Sequence, residues 1–225
     1  MPTRLADVDA RIAEAARSAG RDPSELTRIV VTKFHPVGLI AELHALGVRD
    51  FGENRQQELA AKLSGLPALD GLRWHFIGQV QTNKARAVRA ASDVVHSVDR
   101  ERLADALHAA GSEGPPLDIL VQVNLTDDPG RGGAAPDGVE RLATHITTAC
   151  PSLRVRGVMA VAPLNAAPRE AFERLAASAQ AVCRVVPDAT WISAGMSGDF
   201  AEAIAAGATH LRIGTAITGP RPAHG

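Results

Sequence analysis

The chain has 225 residues, 45% of them hydrophobic, a formal net charge of −1 and a pI near 6.7. That length buries one substantial core, enough for one large α/β domain or two small ones, and the near-neutral balance, with no Lys/Arg cluster interleaved with aromatics, argues against a nucleic-acid-binding surface. No run of eighteen apolar residues marks a membrane span, and residues 1–10 carry Arg4, Asp7 and Asp9 rather than an apolar leader core, so a cytosolic protein that does not bind membranes is expected. Cys150 and Cys183 are the two cysteines, and the eight histidines show no metal-ligand spacing; the expectation is two reduced core thiols and no metal.

In chain order, Leu5, Val8, Ile12, Ala15 and Ala19 recur at helical spacing before Gly20. They predict an amphipathic helix covering an end of the core. The β-branched run Arg28-Ile29-Val30-Val31-Thr32 predicts a buried first strand that delivers Lys33 to its end. Pro36 opens a second helix with Leu39, Ile40, Leu43 and Leu46 facing inward until Gly47. The same grammar then repeats. Strand-like runs fall at 48–52, 72–78, 93–98, 117–125, 154–161, 189–195 and 209–214, and helical patterns at 54–63, 83–91, 100–110, 138–149, 169–186 and 199–206. Eight strands result, each but the last followed by a full helix. This alternation requires parallel pairing, and eight units are the number that closes a (β/α)₈ TIM barrel; the reading is one barrel domain over 1–225 with an additional N-terminal helix. An open doubly wound sheet would carry a Gly-x-Gly-x-x-Gly turn where Thr32-Lys33-Phe34-His35-Pro36 stands.

Chemistry in such barrels collects where strands run into helices. All but three of the 24 basic residues are arginine, lysine standing only at Lys33, Lys62 and Lys84. A guanidinium cannot condense with an aldehyde, so a rare lysine at a strand end points to a required primary amine. Lys62, beside Glu58 on a surface-type helix, reads as solvated charge. Late in the chain, Ser193-Ala194-Gly195-Met196-Ser197-Gly198-Asp199 ends the seventh strand with Ser197 at the expected N-cap, and Arg212-Ile213-Gly214-Thr215-Ala216-Ile217 ends the eighth. Open backbone N–H groups, glycines and hydroxyls there make Ser197, Gly214 and Thr215 the expected phosphate ligands. A lysine across the barrel mouth from a phosphate site suggests an aldehyde-bearing phosphate ester held as a Schiff base, of which pyridoxal 5′-phosphate (PLP) is the common one. Arg212 then fits beside the pyridine nitrogen. Being always charged, it leaves the ring neutral and a weak electron sink, which disfavours transamination and decarboxylation.

Taken together the motifs resemble the pyridoxal-phosphate homeostasis proteins, barrels similar to the N-terminal domain of alanine racemase. The resemblance covers nearly the whole chain through Gly20-Arg21-Asp22-Pro23, Val31-Thr32-Lys33, Asp50-Phe51-Gly52-Glu53-Asn54, Trp74-His75-Phe76-Ile77-Gly78, Gln81-Thr82-Asn83-Lys84, His96-Ser97-Val98-Asp99, Gln122-Val123-Asn124, Arg156-Gly157-Val158-Met159, Gly195-Met196-Ser197 and Arg212-Ile213-Gly214-Thr215-Ala216-Ile217. It implies that Lys33 carries the cofactor, that Ser197, Gly214 and Thr215 hold its phosphate, that Arg212 contacts the ring nitrogen and that Asn54 lies in the same pocket. It also implies a role in vitamin B6 homeostasis, with apo PLP-dependent enzymes as candidate recipients of the cofactor, without established catalysis. Four positions depart from the family pattern. Phe34-His35 replaces a Thr-Lys pair, Arg55 a tyrosine and Thr218 a phenylalanine, and the loop at 127–138 offers Arg131 where a lysine is usual. No second Schiff-base lysine therefore stands in that loop. The chain contains no tyrosine, the residue with which a racemase of the alanine type returns a proton on the second face. A monomeric PLP carrier is the leading expectation, a PLP-dependent amino-acid racemase the alternative, and an aldolase-type phosphate-binding barrel using Lys33 a third.

Overall fold

The computed structural model describes residues 1–126, 128–163 and 166–220. Asp127, in the expected rim loop, lies outside them. Eight parallel strands close into a barrel in sequence order: β1 (Thr27–Val31), β2 (Asp50–Glu53), β3 (Arg73–Phe76), β4 (Val94–Val98), β5 (Leu117–Gln122), β6 (Leu153–Met159), β7 (Trp191–Ser193) and β8 (His210–Ile213). Register pairs Val30 with Phe51 on one side of β1 and with Ile213 on the other, so the first and last strands are neighbours. Connecting helices α2 (Gly38–Ala45), α3 (Gln56–Gly65), α4 (Ala85–Ala91), α5 (Glu101–Ala109), α6 (Val139–Ala149), α7 (Pro168–Val185) and α8 (Phe200–Ala205) alternate with the strands, and a single turn, α9 (Thr215–Thr218), follows β8.

The N-terminal helix α1 (Pro2–Ser18) buries Leu5, Val8, Ile12 and Ala16 against α8 and α9. It covers a flank of the barrel rather than an end. The reason is that α9 is too short to fill the eighth place in the outer ring. The Arg4 Nε donates to the Ile217 carbonyl at 2.9 Å, and the Arg21 guanidinium donates to the carbonyls of Ile204 and Ala208, tying the start of the chain to its last two units. In α2, Leu46 at the expected inward position is 42% exposed, because the helix ends at Ala45 and turns at Gly47.

Alternate strand residues face opposite sides. Outward, Val30, Phe51, Phe76, Val95, Ile119, Val121 and Leu211 pack under the helices against Leu43, Leu59, Leu103, Leu107, Ile146, Phe172 and Leu175, all buried. Inward, a small apolar cluster of Val94, Leu120 and Met159 occupies one side of the ring. Beside Ile29, which is in register with Arg212, the interior also holds His75, His96, Ser193, His210 and Arg212, each no more than 4% exposed. At the β6–β7 contact a Cβ on Gly157 would sit 1.8 Å from the Trp191 carbonyl oxygen, so only glycine allows these strands to approach. No described helix is long and apolar enough to cross a membrane.

Candidate functional site

Parallel pairing sends every strand-to-helix connection out at the same end of the barrel. β1 ends at Val31, two residues earlier than the run suggested, and Lys33 stands in the following turn. The turn is sharp because Phe34 adopts a left-handed conformation, φ 68°, with its N–H donating to Glu58 Oε2 at 2.9 Å. For a phenylalanine this backbone costs about 1–3 kcal/mol and persists only where surroundings impose it. They do so from α3. Lys62 donates from Nζ to the Thr32 carbonyl at 2.7 Å and pairs with Glu53, whose Oε1 also accepts from the Thr32 hydroxyl at 2.6 Å. Lys62 is 5% exposed and Glu53 fully buried, so Lys62 is a buried structural cation and not the solvated charge its helix pattern implied. Burial pushes the Glu53 carboxyl up from its ordinary range, against the opposing pull of Lys62. Lys33 itself is exposed, its Nζ 5.9 Å from the centre of the Phe34 ring, which Arg55 covers at 5.0 Å.

The last two connections form the second half of the site. After β7, the N-cap of α8 is Asp199 and not Ser197; the Asp199 carboxylate turns back to accept from the Met196 N–H at 2.6 Å, which leaves Ser197 in the turn before it. The backbone N–H groups of Ser197, Gly198, Gly214 and Thr215 and the hydroxyls of Ser197 and Thr215 have no partner among the described residues. Neighbours do not demand glycine there. A Cβ on Gly198 would meet nothing within 4 Å, and one on Gly214 only Val31, at 3.6 and 3.7 Å. What these glycines preserve is open space before unpaired donors.

That contact also places the open donors. Gly214 lies against Val31, the last residue of β1, so the Lys33 turn and the β8 loop are adjacent rather than across the mouth from one another. Below them Arg212 is 4% exposed, donating to the Ser193 hydroxyl at 2.7 Å and the Ala160 carbonyl at 2.8 Å. Burial lowers its pKa to about 10, partly offset by Asp199, so it stays charged at neutral pH. Asn54, half-buried after β2, has an Oδ1 atom that is buried without a hydrogen-bond partner. A Cβ on Gly78 would stand 2.1 Å from the Asn54 carbonyl oxygen, so glycine there lets β3 press this backbone inward.

Behind Arg212 lies a feature the strand-by-strand reading did not connect. Ser193 Oγ is 2.9 Å from His96 Nδ1, His96 Nε2 is 2.9 Å from His75 Nδ1, and His75 Nε2 is 2.9 Å from Asp50 Oδ1. The signal was available as polar residues recurring at inward positions of strands otherwise built from Val, Ile and Leu.

The alanine racemase N-terminal domain family matches residues 4–222 of this chain. The pyridoxal phosphate homeostasis protein of Pseudomonas aeruginosa is 41% identical over 221 residues, covering 96% of this chain and 94% of that one. The chain belongs to the pyridoxal phosphate homeostasis protein family. Among solved structures, PipY of Synechococcus elongatus with PLP bound superposes with a TM-score of 0.82 at 35% identity, covering 92% of this chain and all of that one. Alanine racemase from Corynebacterium glutamicum superposes with a TM-score of 0.70 at 14% identity over 63% of its own length, a likeness of fold. The residues present fit the family's cofactor. Unpaired N–H and hydroxyl donors suit a phosphate, a primary amine stands on the adjoining strand connection, and the orphaned Asn54 oxygen and the Arg212 guanidinium offer polar partners to a ring.

Proposed function

We propose that this chain binds PLP at the barrel mouth and acts in the cytosol as a carrier or buffer of the cofactor, without a reaction of its own. The observation that carries this is the adjacency of the Lys33 turn and the open N–H groups of the β7 and β8 loops, with Arg212 directly below. PLP bears its aldehyde and its phosphate arm on neighbouring ring carbons, with the ring nitrogen opposite the aldehyde. When bound, the cofactor supplies an electrophilic aldehyde and a conjugated ring. Lys33 supplies the amine that holds the aldehyde, Ser197, Gly214 and Thr215 receive the phosphate, Asn54 lies in the same pocket beside the ring, and Arg212 donates to the ring nitrogen. Because Arg212 gives no proton to the ring, the site retains the cofactor without making it a strong electron sink.

A carrier also follows from which acid–base groups are free. The chain has no tyrosine, and His75 and His96, the candidate replacements at strand positions, are both buried and hydrogen-bonded beneath Arg212. An exposed Lys33 suits exchange of the cofactor with apo-enzymes. Reconstitution with PLP followed by borohydride tests the reading. One pyridoxyl group is expected on Lys33, and Lys33→Ala should lose the visible absorbance. A full-intensity band in that variant, or α-deuterium loss from labelled alanine at a rate proportional to protein, would overturn it.

A further inference from the structure

The contacts from Arg212 to Asp50 run through the barrel interior, and the chemistry of the two ends gives the whole string one direction. Arginine has donors and no acceptor, so the Ser193 oxygen must accept from it. At the other end the Asp50 carboxyl is 21% exposed, with Arg73 at 3.9 Å and the His210 ring 6.5 Å from that of His75. Burial raises its pKa, but the His75 bond, helped by Arg73 and His210, outweighs this and leaves it below its ordinary value, hence ionised and able only to accept. His75 and His96 are buried and held below the ordinary imidazole pKa, so each is neutral with one donor and one acceptor. His75 then carries its proton on Nε2, toward Asp50. Its Nδ1 must accept from His96 Nε2, and His96 Nδ1 must accept from the Ser193 hydroxyl. With both rings neutral, reversing any one link sets an acceptor against an acceptor elsewhere in the string.

We infer that Asp50, His75, His96 and Ser193 are positioning residues: a one-way hydrogen-bond string, anchored by a carboxylate on the far face of the barrel, that holds the Arg212 guanidinium in the orientation a PLP ring nitrogen meets. This rests on the reading that Arg212 faces that nitrogen. The Ala160 carbonyl fixes one arm of the fork, and Ser193 fixes the other only while its own proton is drawn toward His96. Loss of either anchor frees the fork, and the effect fades with distance from Arg212.

Two measurements on the intact protein test it. In apo-protein, ¹⁵N spectra of the imidazoles should show His75 and His96 both protonated on Nε2; protonation of either on Nδ1 overturns the string. With PLP labelled at the ring nitrogen, Ser193→Ala should displace the ring ¹⁵N resonance and weaken binding about tenfold, the size expected for a lost bond to a charged donor. Asp50→Ala should move both readouts the same way by about threefold, and Asp50→Asn, which keeps an acceptor, should restore them. Wild-type resonance and affinity in both alanine variants would overturn the positioning role. Failure of the underlying reading looks different. Arg212→Gln with an unmoved ring resonance, while borohydride still traps PLP on Lys33, removes the ring from beside Arg212 and the positioning role with it, yet leaves the tautomers as measured.

Discussion

Between the strands and the outer helices the protein packs Phe51, Phe76, Phe172 and their aliphatic neighbours, while inside the strand ring it places histidines, a serine and an arginine alongside Ile29 and a small cluster of Val94, Leu120 and Met159. The two spaces are separated by one layer of backbone and are equally dry. The outer layer gains free energy from apolar area removed from water and tolerates any well-shaped hydrocarbon. The inner one must pair every donor and acceptor, gains little net stability from each pair, and in return holds specific atoms in place. Stability and site geometry are therefore assigned to opposite faces of the same strands.

Substitutions should expose that division, most strongly in the outer layer. Phe172→Ala, on α7 and 2% exposed, removes a fully packed ring from beneath the helices and is expected to cost about 3–5 kcal/mol in urea unfolding. PLP affinity of the protein that remains folded should be unchanged. An intermediate effect belongs to the inner face and to acid. Folded His210 is held at about 3 by burial, while in the unfolded chain it titrates near 6.5, so a proton added in that interval binds only the unfolded chain. Its contribution is complete above pH 6.5 and falls away as pH drops toward 3, by about 2 kcal/mol at pH 5. His75 and His96 act with the same sign. Unfolding midpoints at pH 7 and pH 5 should therefore differ, and His210→Gln should shrink the difference. The smallest effect on stability belongs to Ser197→Ala. With no hydrogen bond lost among the described residues, stability should stay within about 0.5 kcal/mol, while affinity for PLP falls about tenfold. A stability loss equal to that of Phe172→Ala would erase the distinction.

The repeating strand-and-helix pattern carried the barrel, the strand count and the site loops into view because each depends on local periodicity. What remained hidden depends on contacts distant in sequence. Lys62 stands four residues after Glu58, which reads as a surface pair, yet its partners are Glu53 at the end of β2 and the Thr32 carbonyl just past β1. Ser197 has the chemistry of an N-cap, but Asp199 takes that position by folding back on Met196. Lys33 followed four residues of strand-forming sequence, and only the left-handed Phe34, fixed by Glu58 on α3, ends the strand before it. The adjacency of Lys33 and the β8 loop was implicit in the closed ring, since an eight-strand barrel must join its first strand to its last. The string to Asp50 needed the register of five strands at once.

That join has a consequence for biosynthesis. β1 and β8 meet at a seam, and the groups proposed to receive the cofactor lie on either side of it, Lys33 leaving the ribosome well before Arg212, Gly214 and Thr215. Until β8 follows, a nascent chain would expose the proposed amine without the loops proposed to retain a captured aldehyde. On the proposed reading, loading with vitamin follows ring closure and marks the molecules that have finished folding.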